Sequence, residues 1–150
     1  MQISIKMKGL GNTQKKLASG VSQQKSKRAM FLQAAITYFK WIQKNFYAQG
    51  GLHDGKFGPW KRLSQDTIER RKKEGAGAKI LMDTGQMRQK WAITANNTRG
   101  RVKSKMNYSS IHEEGTDKIP RRKIFPSKKQ GNTITRKVFQ QHIDKIWRGF

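Results

Sequence analysis

The strongest pattern in the chain is a run of apolar residues at helical spacing between Arg28 and Ala48. Polar side chains recur on the opposite face, which is typical of an amphipathic α-helix that covers a core. Tyr38 and Trp41 flank the apolar face and are expected at the edge of the core, and Gly50 and Gly51 are expected to end the helix. The apolar face comprises Phe31, Leu32, Ala35, Ile36, Phe39, Ile42 and Phe46.

Short alternating segments predict a small antiparallel sheet. Apolar and polar residues alternate from Gln2 to Met7, and residues 91–106 hold two such runs joined by the turn-forming residues 96–100. A last helix is predicted from about Thr133, after a mobile basic loop over 128–131. We expect an α+β fold in one domain over residues 1–150, with the sheet packed against the long helix and the C-terminal helix. The segment near Phe125 is expected to add a strand to the sheet.

The connections between these elements carry their own signals. Residues 52–60 are glycine-rich and predict a loop that Trp60 anchors to the domain. Ser64 predicts the N-cap of a short helix that runs to about Glu74. Asp83, with Gln86 three residues later, indicates either a second capping box or a turn that enters a strand.

Charge limits the partners of such a chain. The 150 residues contain 33 Lys plus Arg and 9 Asp plus Glu, a formal charge of +24, and no acidic residue precedes Asp54. A surface this basic attracts polyanions. We expect residues 1–28 to form a flexible basic arm in part.

Most catalytic classes are disfavoured by the residue types. The chain has no cysteine, and His112-Glu113-Glu114 lacks the second histidine of a zinc-binding helix motif. Its few acids are not clustered as a metal-dependent nuclease would need. We expect no enzyme activity, no metal and no cofactor, and His112 is interpreted as a packing or hydrogen-bonding residue. The first residues lack a secretory signal pattern, and no stretch is apolar enough to predict a membrane span.

Four short segments then occur in a distinctive order: Phe57 to Thr67, Ile80 to Met87, Tyr108 to Gly115 and Ile119 to Phe125. Together they resemble the phage virion morphogenesis family, the small tail-completion and neck proteins of tailed bacteriophages. The pattern departs from that family at Met87 (usually leucine), at Ser109 (usually alanine) and in a short loop after Gly115. The residues that carry the resemblance are Trp60, Leu63, Thr84, Gly85, Tyr108, His112, Gly115, Pro120, Arg121 and Phe125.

The resemblance implies a structural virion protein at the neck, a tail-completion or tail-terminator subunit. It implies a homo-oligomeric ring, expected to be a hexamer, that joins the tail tube to head-tail connector proteins, with assembly in the host cytoplasm and no membrane partner. From the charge we add that a basic surface faces DNA in the channel or an acidic neighbour. The candidate contact residues are Arg99, Arg101, Lys103, Lys105, Arg121, Arg122, Lys123, Lys128 and Lys129. The alternative is a free-standing nucleic-acid-binding protein without sequence specificity.

Overall fold

The computed structural model describes residues 2–5, 23–53 and 56–147. Within these ranges the chain forms five helices and five strands. In order they are β1 (Gln2–Ile5), α1 (Gln23–Ala48), β2 (Gly50–His53), β3 (Lys56–Pro59), α2 (Gln65–Lys73), α3 (Gln86–Gln89), β4 (Trp91–Ala95), β5 (Gly100–Ser104), α4 (Ser109–Glu114) and α5 (Lys128–Trp147).

The main sheet has three antiparallel strands in the order β1-β5-β4. Val102 in the central strand lies between Ile3 on β1 and Ile93 on β4, and its side chain is fully buried against the core. Arg101 and Lys103 alternate with Val102, so they point to the opposite face of the sheet. The predicted hairpin and the predicted N-terminal strand are both confirmed here, although Lys6 and Met7 lie outside the described residues.

Helix α1 packs against the sheet on one side and against α5 on another. On the α5 side, the rings of Phe31 and Phe139 meet edge to face, with centroids 5.5 Å apart. Nearer the end of α1, Phe46 meets Trp60 in the same geometry at 5.5 Å. The predicted α+β fold, with a long helix and a C-terminal helix on a small antiparallel sheet, is confirmed.

Two partners make the buried face of α1 wider than predicted. Met30, Ala34 and Tyr38 lie outside the predicted face, but they are buried because α5 covers this side of α1. Burial raises the pKa of the Tyr38 phenol, and the nearby Glu113 carboxylate raises it further.

Helix α1 begins at Gln23, before the predicted Arg28. The residues predicted as a basic arm therefore include β1 and the first residues of α1, while residues 6–22 lie outside the described part.

The segment predicted as a loop, Leu52 to Trp60, lies mostly within a second hairpin, β2–β3. Helix α1 ends at Ala48, and the residue that turns the chain out of the helix is Gln49, in the left-handed conformation at φ 54°, and not a glycine. Gly50 and Gly51 instead allow close contact: a Cβ on Gly51 would lie 2.8 Å from the carbonyl oxygen of Lys123, and one on Gly50 2.6 Å from that of Gly58. The prediction failed because glycine is typical both of helix ends and of close backbone contacts, and these two glycines serve the second purpose.

The segment near Phe125 is not a strand of the main sheet. Its backbone is held by side chains instead: Trp60 Nε1 donates to Lys123 O at 3.0 Å, and Asn45 Nδ2 donates to Ile124 O at 2.9 Å. These bonds satisfy the buried carbonyls that a sheet would otherwise pair. Phe125 itself fills the core as expected, with its ring against Trp91.

Residues 128–131 do not form a mobile loop, because α5 begins at Lys128. Ser127 caps the helix: its Oγ accepts from Gln130 N at 3.3 Å, while Gln130 Oε1 accepts from Ser127 N at 3.0 Å. This reciprocal pair is a capping box. Gly131 then lets the helix approach the ring of Tyr38 closely.

The predicted cap at Ser64 is confirmed, whereas the capping box that was one of two alternatives at Asp83 is not found. The Oγ of Ser64 accepts from Thr67 N at the start of α2, which ends at Lys73. Asp83 caps nothing; Gly85, at φ 71°, stands at the N-cap of the short helix α3. The carboxylate of Asp83 instead faces two arginines of α2.

Candidate functional site

A pocket of about 270 Å³ opens between α2, the turn before α3, and α4. Its apolar walls are Leu63, Leu81, Met87 and Tyr108. Met87 is buried where α3 packs on the core, and Tyr108 at the N-terminal end of α4 is partly exposed at the rim. The remaining lining side chains are polar or charged, and they determine what the pocket can bind.

Two buried arginines lie in the pocket wall. Arg71 is 7% exposed and Arg122 5%. The Nη1 of Arg71 donates to Lys79 O at 2.8 Å, and Nε and Nη2 of Arg122 donate to Lys61 O at 3.2 and 3.1 Å. Burial lowers the pKa of Arg122, and the positive charge of Arg71 lowers it further. The two guanidinium groups therefore raise the positive potential in the same small volume.

Asp83 is the carboxylate of this pocket. Its Oδ1 lies 3.5 Å from Arg71 Nε, and its Oδ2 lies 3.6 Å from Nη2 of the exposed Arg70. Arg70 also pairs with Glu74 at 2.6 Å, so Asp83 is shared between a buried and an exposed cation. Within the described residues, Arg122 makes no ion pair.

His112 forms part of the wall beside Arg122. Its Nδ1 is buried and has no hydrogen-bond partner in the described part of the chain. Burial lowers the pKa of His112, and the charge of Arg122 lowers it further, so the imidazole is neutral at physiological pH. The ring stacks edge to face on Tyr108, with centroids 6.2 Å apart, and its backbone carbonyl accepts from Arg122 N at 2.7 Å.

The next residue, Glu113, points to the other side of α4 and is 8% exposed. Its Oε2 accepts the backbone N–H of Ile124 at 2.6 Å and that of Phe125 at 3.1 Å. Burial raises the pKa of Glu113, although these two hydrogen bonds and the charges of Arg121 and Lys123 act against the increase. Glu113 thus ties α4 to residues 119–125, the returning segment, and keeps Arg122 in the pocket wall.

Comparison with known proteins gives one result that bears on identity. The model of the phage virion morphogenesis family matches residues 6–143. The chain belongs to this family. The search of curated proteins and the search of solved structures gave no match.

Five of the ten residues that carry the family resemblance meet at the pocket. These are Leu63, Thr84, Gly85, Tyr108 and His112. They come from three segments that are distant in sequence, and the fold brings them together.

The other family residues hold the surrounding backbone. Trp60 and Phe125 lie in the core, and Pro120 is half-buried. Gly115, at φ 79°, ends α4 and lies so close to Arg121 that a Cβ would be 2.9 Å from its backbone nitrogen. Arg121 itself is exposed, and its Nε donates to Glu113 O at 3.1 Å.

The basic residues predicted to face a partner lie in different settings. Lys103, Lys105, Arg121, Lys128 and Lys129 are exposed, while Arg99, Arg101 and Lys123 are half-buried. Arg122, by contrast, is buried in the pocket, away from the exposed cluster in which the sequence suggested it. Its alternation with exposed Arg121 could have suggested an inward direction.

Two residues of the site had no role in the sequence interpretation. Arg71 is one of four consecutive basic residues in α2, and nothing in that run marks it as buried. Glu113 stands in the sequence only as part of His112-Glu113-Glu114, the incomplete zinc motif, and nothing local marks it as a partner of the Ile124 and Phe125 backbone. The role of Arg71 depends on the backbone of the segment that follows α2, and the role of Glu113 depends on the backbone of Ile124 and Phe125.

Neither a metal site nor a membrane span is found in the described residues. They contain no group of three or more His, Asp or Glu side chains that could hold a metal ion. None of their helices is long and apolar enough to cross a bilayer.

Proposed function

We propose that this protein is a tail-completion subunit of the phage neck, which assembles as a hexameric ring on the head-proximal end of the tail and joins tail to head. The observation that carries the proposal is the family match over residues 6–143. A role in virion assembly is the shared property of that family. The position at the neck and the ring are our inference.

The protein acts by assembly and not by catalysis. Its pocket offers two arginines that donate to backbone carbonyls and a neutral histidine. Such groups can bind and orient an anionic partner. Assembly requires rigid surfaces, and the Glu113 and Trp60 contacts hold the returning segment rigidly.

The outer face of the main sheet supplies the first contact surface. Arg101 and Lys103 point away from α1, and exposed Lys105 follows β5 directly. We propose that this face, together with Arg121 at the end of α4, meets DNA in the channel or an acidic neck protein. Binding of this kind is driven by counterion release and weakens as salt rises.

Light scattering of the purified protein at low and high salt, with and without a short DNA duplex, tests the proposal. A ring that persists at high salt supports the neck function. A monomer that associates only with DNA, and dissociates from it as salt rises, supports the alternative of a free-standing nucleic-acid-binding protein. A monomer that ignores DNA, and fails to complete headless tails in a joining assay, contradicts both.

A variant pair separates the basic surface from the fold. Replacing Lys103 and Lys105 with glutamine should reduce tail-to-head joining while leaving the melting temperature unchanged, because both side chains are exposed. The matched control replaces Lys72 and Lys73, which are exposed on α2. Equal joining by the two double variants would show that the sheet face is not a contact surface.

A further inference from the structure

The pocket between α2 and α4 has more buried positive charge than its own residues neutralise. Arg71 and Arg122 are both buried there, and the carboxylate that faces Arg71, Asp83, is shared with exposed Arg70. In the described part of the chain, Arg122 has only the carbonyl of Lys61 as acceptor for its side chain. Since a buried charge without a counter-charge is costly, the described residues leave the pocket one anionic group short.

Two hydrogen-bonding atoms in the wall are also unused. Arg71 Nε makes no hydrogen bond although its side chain is only 8% exposed, and its 3.5 Å contact with Asp83 is electrostatic. His112 Nδ1 is buried and has no partner in the described residues. Buried polar atoms without partners are uncommon in folded proteins, and each needs an explanation such as a missing ligand.

The rim and walls narrow the class of ligand. Tyr108, the N-cap residue of α4, lies at the rim, and Ile111 follows it three residues later on neighbouring helix surface; they are 39% and 40% exposed. Inside, Leu63 and Met87 supply apolar walls. A ligand that fits both features carries an anionic group next to an apolar one.

We propose that this pocket, the arginine pocket, binds the carboxylate of an acidic side chain on an extended segment of a neighbouring virion protein, with an apolar side chain of that segment on Tyr108 and Ile111. That the neighbour is a virion protein rests on the proposed function; the preference for a carboxylate rests on the pocket alone. The carboxylate pairs with Arg122 and accepts from Arg71 Nε.

A nucleic-acid phosphate fits these observations less well. The guanidinium groups of the pocket are buried in its wall. Duplex phosphates are contacted by cations that protrude, such as Lys103 and Lys105, which are exposed. The apolar rim also has no counterpart on a phosphate backbone.

Methionine methyl resonances of the intact protein test the proposal in whatever oligomeric state it has. Met87 lines the pocket, while Met30 is buried between α1 and α5 and serves as an internal control. The probe is a blocked pentapeptide, Gly-Leu-Glu-Leu-Gly. We expect it to shift the Met87 signal in a saturable manner and to leave the Met30 signal in place.

The matched peptide with glutamine in place of glutamate removes only the charge and should leave the Met87 signal unshifted. Equal shifts by the two peptides, or no shift by either, would overturn the proposal. A short DNA duplex is the third probe. Should the duplex alone shift Met87, the pocket is a phosphate site and the proposal is wrong.

Two variants locate the binding. Arg122→Gln should weaken binding of the glutamate peptide at least about tenfold, because a charge-assisted hydrogen bond is lost. Arg136→Gln, at an exposed position of α5, is the control and should bind as the wild type does. If Arg122→Gln fails to fold, Thr84→Trp fills the mouth without removing a cation and should also abolish binding. Wild-type affinity in both pocket variants contradicts the proposal.

The outcomes separate this inference from the function it rests on. Peptide binding by a protein that neither forms a ring nor joins tails to heads would confirm the pocket chemistry and refute the neck function. Absence of peptide binding by a protein that does both would refute the pocket and leave the function standing.

Discussion

The carboxylate of Glu113 on α4 accepts the backbone N–H of Ile124 at 2.6 Å. The same oxygen also accepts from Phe125 N at 3.1 Å, so one buried side chain satisfies two backbone donors of a segment that none of the five described strands pairs. This contact directs Phe125 into the core and places Arg122 in the wall of the pocket. The site and the core are thus connected through a single carboxylate.

Replacing Glu113 tests that connection. Glu113→Ala leaves two buried N–H groups unpaired and should lower the free energy of unfolding by about 2 to 4 kcal/mol. Glu113→Gln keeps an oxygen acceptor and removes a buried charge, so it should be tolerated. Burial raises the pKa of Glu113 in the folded state, so the stability that the wild type derives from this group falls as pH rises through that pKa. Urea unfolding of both variants at acid and neutral pH is the measurement, and a Gln variant as unstable as the Ala variant would contradict the argument.

The pocket histidine should make stability depend on pH in the opposite direction. The folded-state pKa of His112 is lowered, so the unfolded state binds more protons between that pKa and the unfolded value. Its contribution is fully present above about pH 6.5, the usual histidine value, and is lost as pH falls through the folded pKa. Denaturant unfolding from about pH 8 to about pH 5 should show this loss in the wild type and a flatter profile in His112→Gln. Parallel profiles would exclude His112 as the source.

Two glycine substitutions should differ strongly in cost. A Cβ on Gly100 would lie 2.5 Å from the backbone oxygen of Phe31, so Gly100→Ala must push β5 away from α1. We expect a loss of about 1 to 3 kcal/mol, as for other overpacked cores. Gly77→Ala is the control because a Cβ there has no atom within 4 Å. Thermal unfolding measures both, and equal melting temperatures would mean that α1 and β5 are less closely packed than described.

The start of α5 depends on the capping box. Ser127→Ala removes the acceptor of Gln130 N and should destabilise the protein by about 1 kcal/mol. Amide hydrogen exchange should rise in residues 128–131 and stay unchanged in α1. Thr133→Ala is a suitable control, since Thr133 Oγ1 only donates to Lys129 O on the exposed face of the same helix. Unchanged exchange at the start of α5 in Ser127→Ala would show that packing alone fixes the helix start.

The elements that the sequence predicted well are those whose signal is local. The apolar spacing from Phe31 to Phe46 and the alternation around Val102 each reflect one element facing one core, and both were found. Ser64 was also found, because an N-cap bonds to residues within one turn. The capping box at Ser127 was equally local and was missed in favour of the basic and glycine composition around it.

The remaining features required the tertiary structure. Tyr38 is buried because α5 covers a second side of α1, and Gly51 is needed because the Lys123 backbone passes close by. The sequence by itself determined the α+β class, the long helix, the hairpin and the segments that carry the family resemblance. Only the tertiary structure decided which charged residues are buried. Arg71, Arg122 and Glu113 look like solvated charges in the sequence, and they are buried because distant backbone carbonyls and amides supply the hydrogen bonds that compensate for lost water.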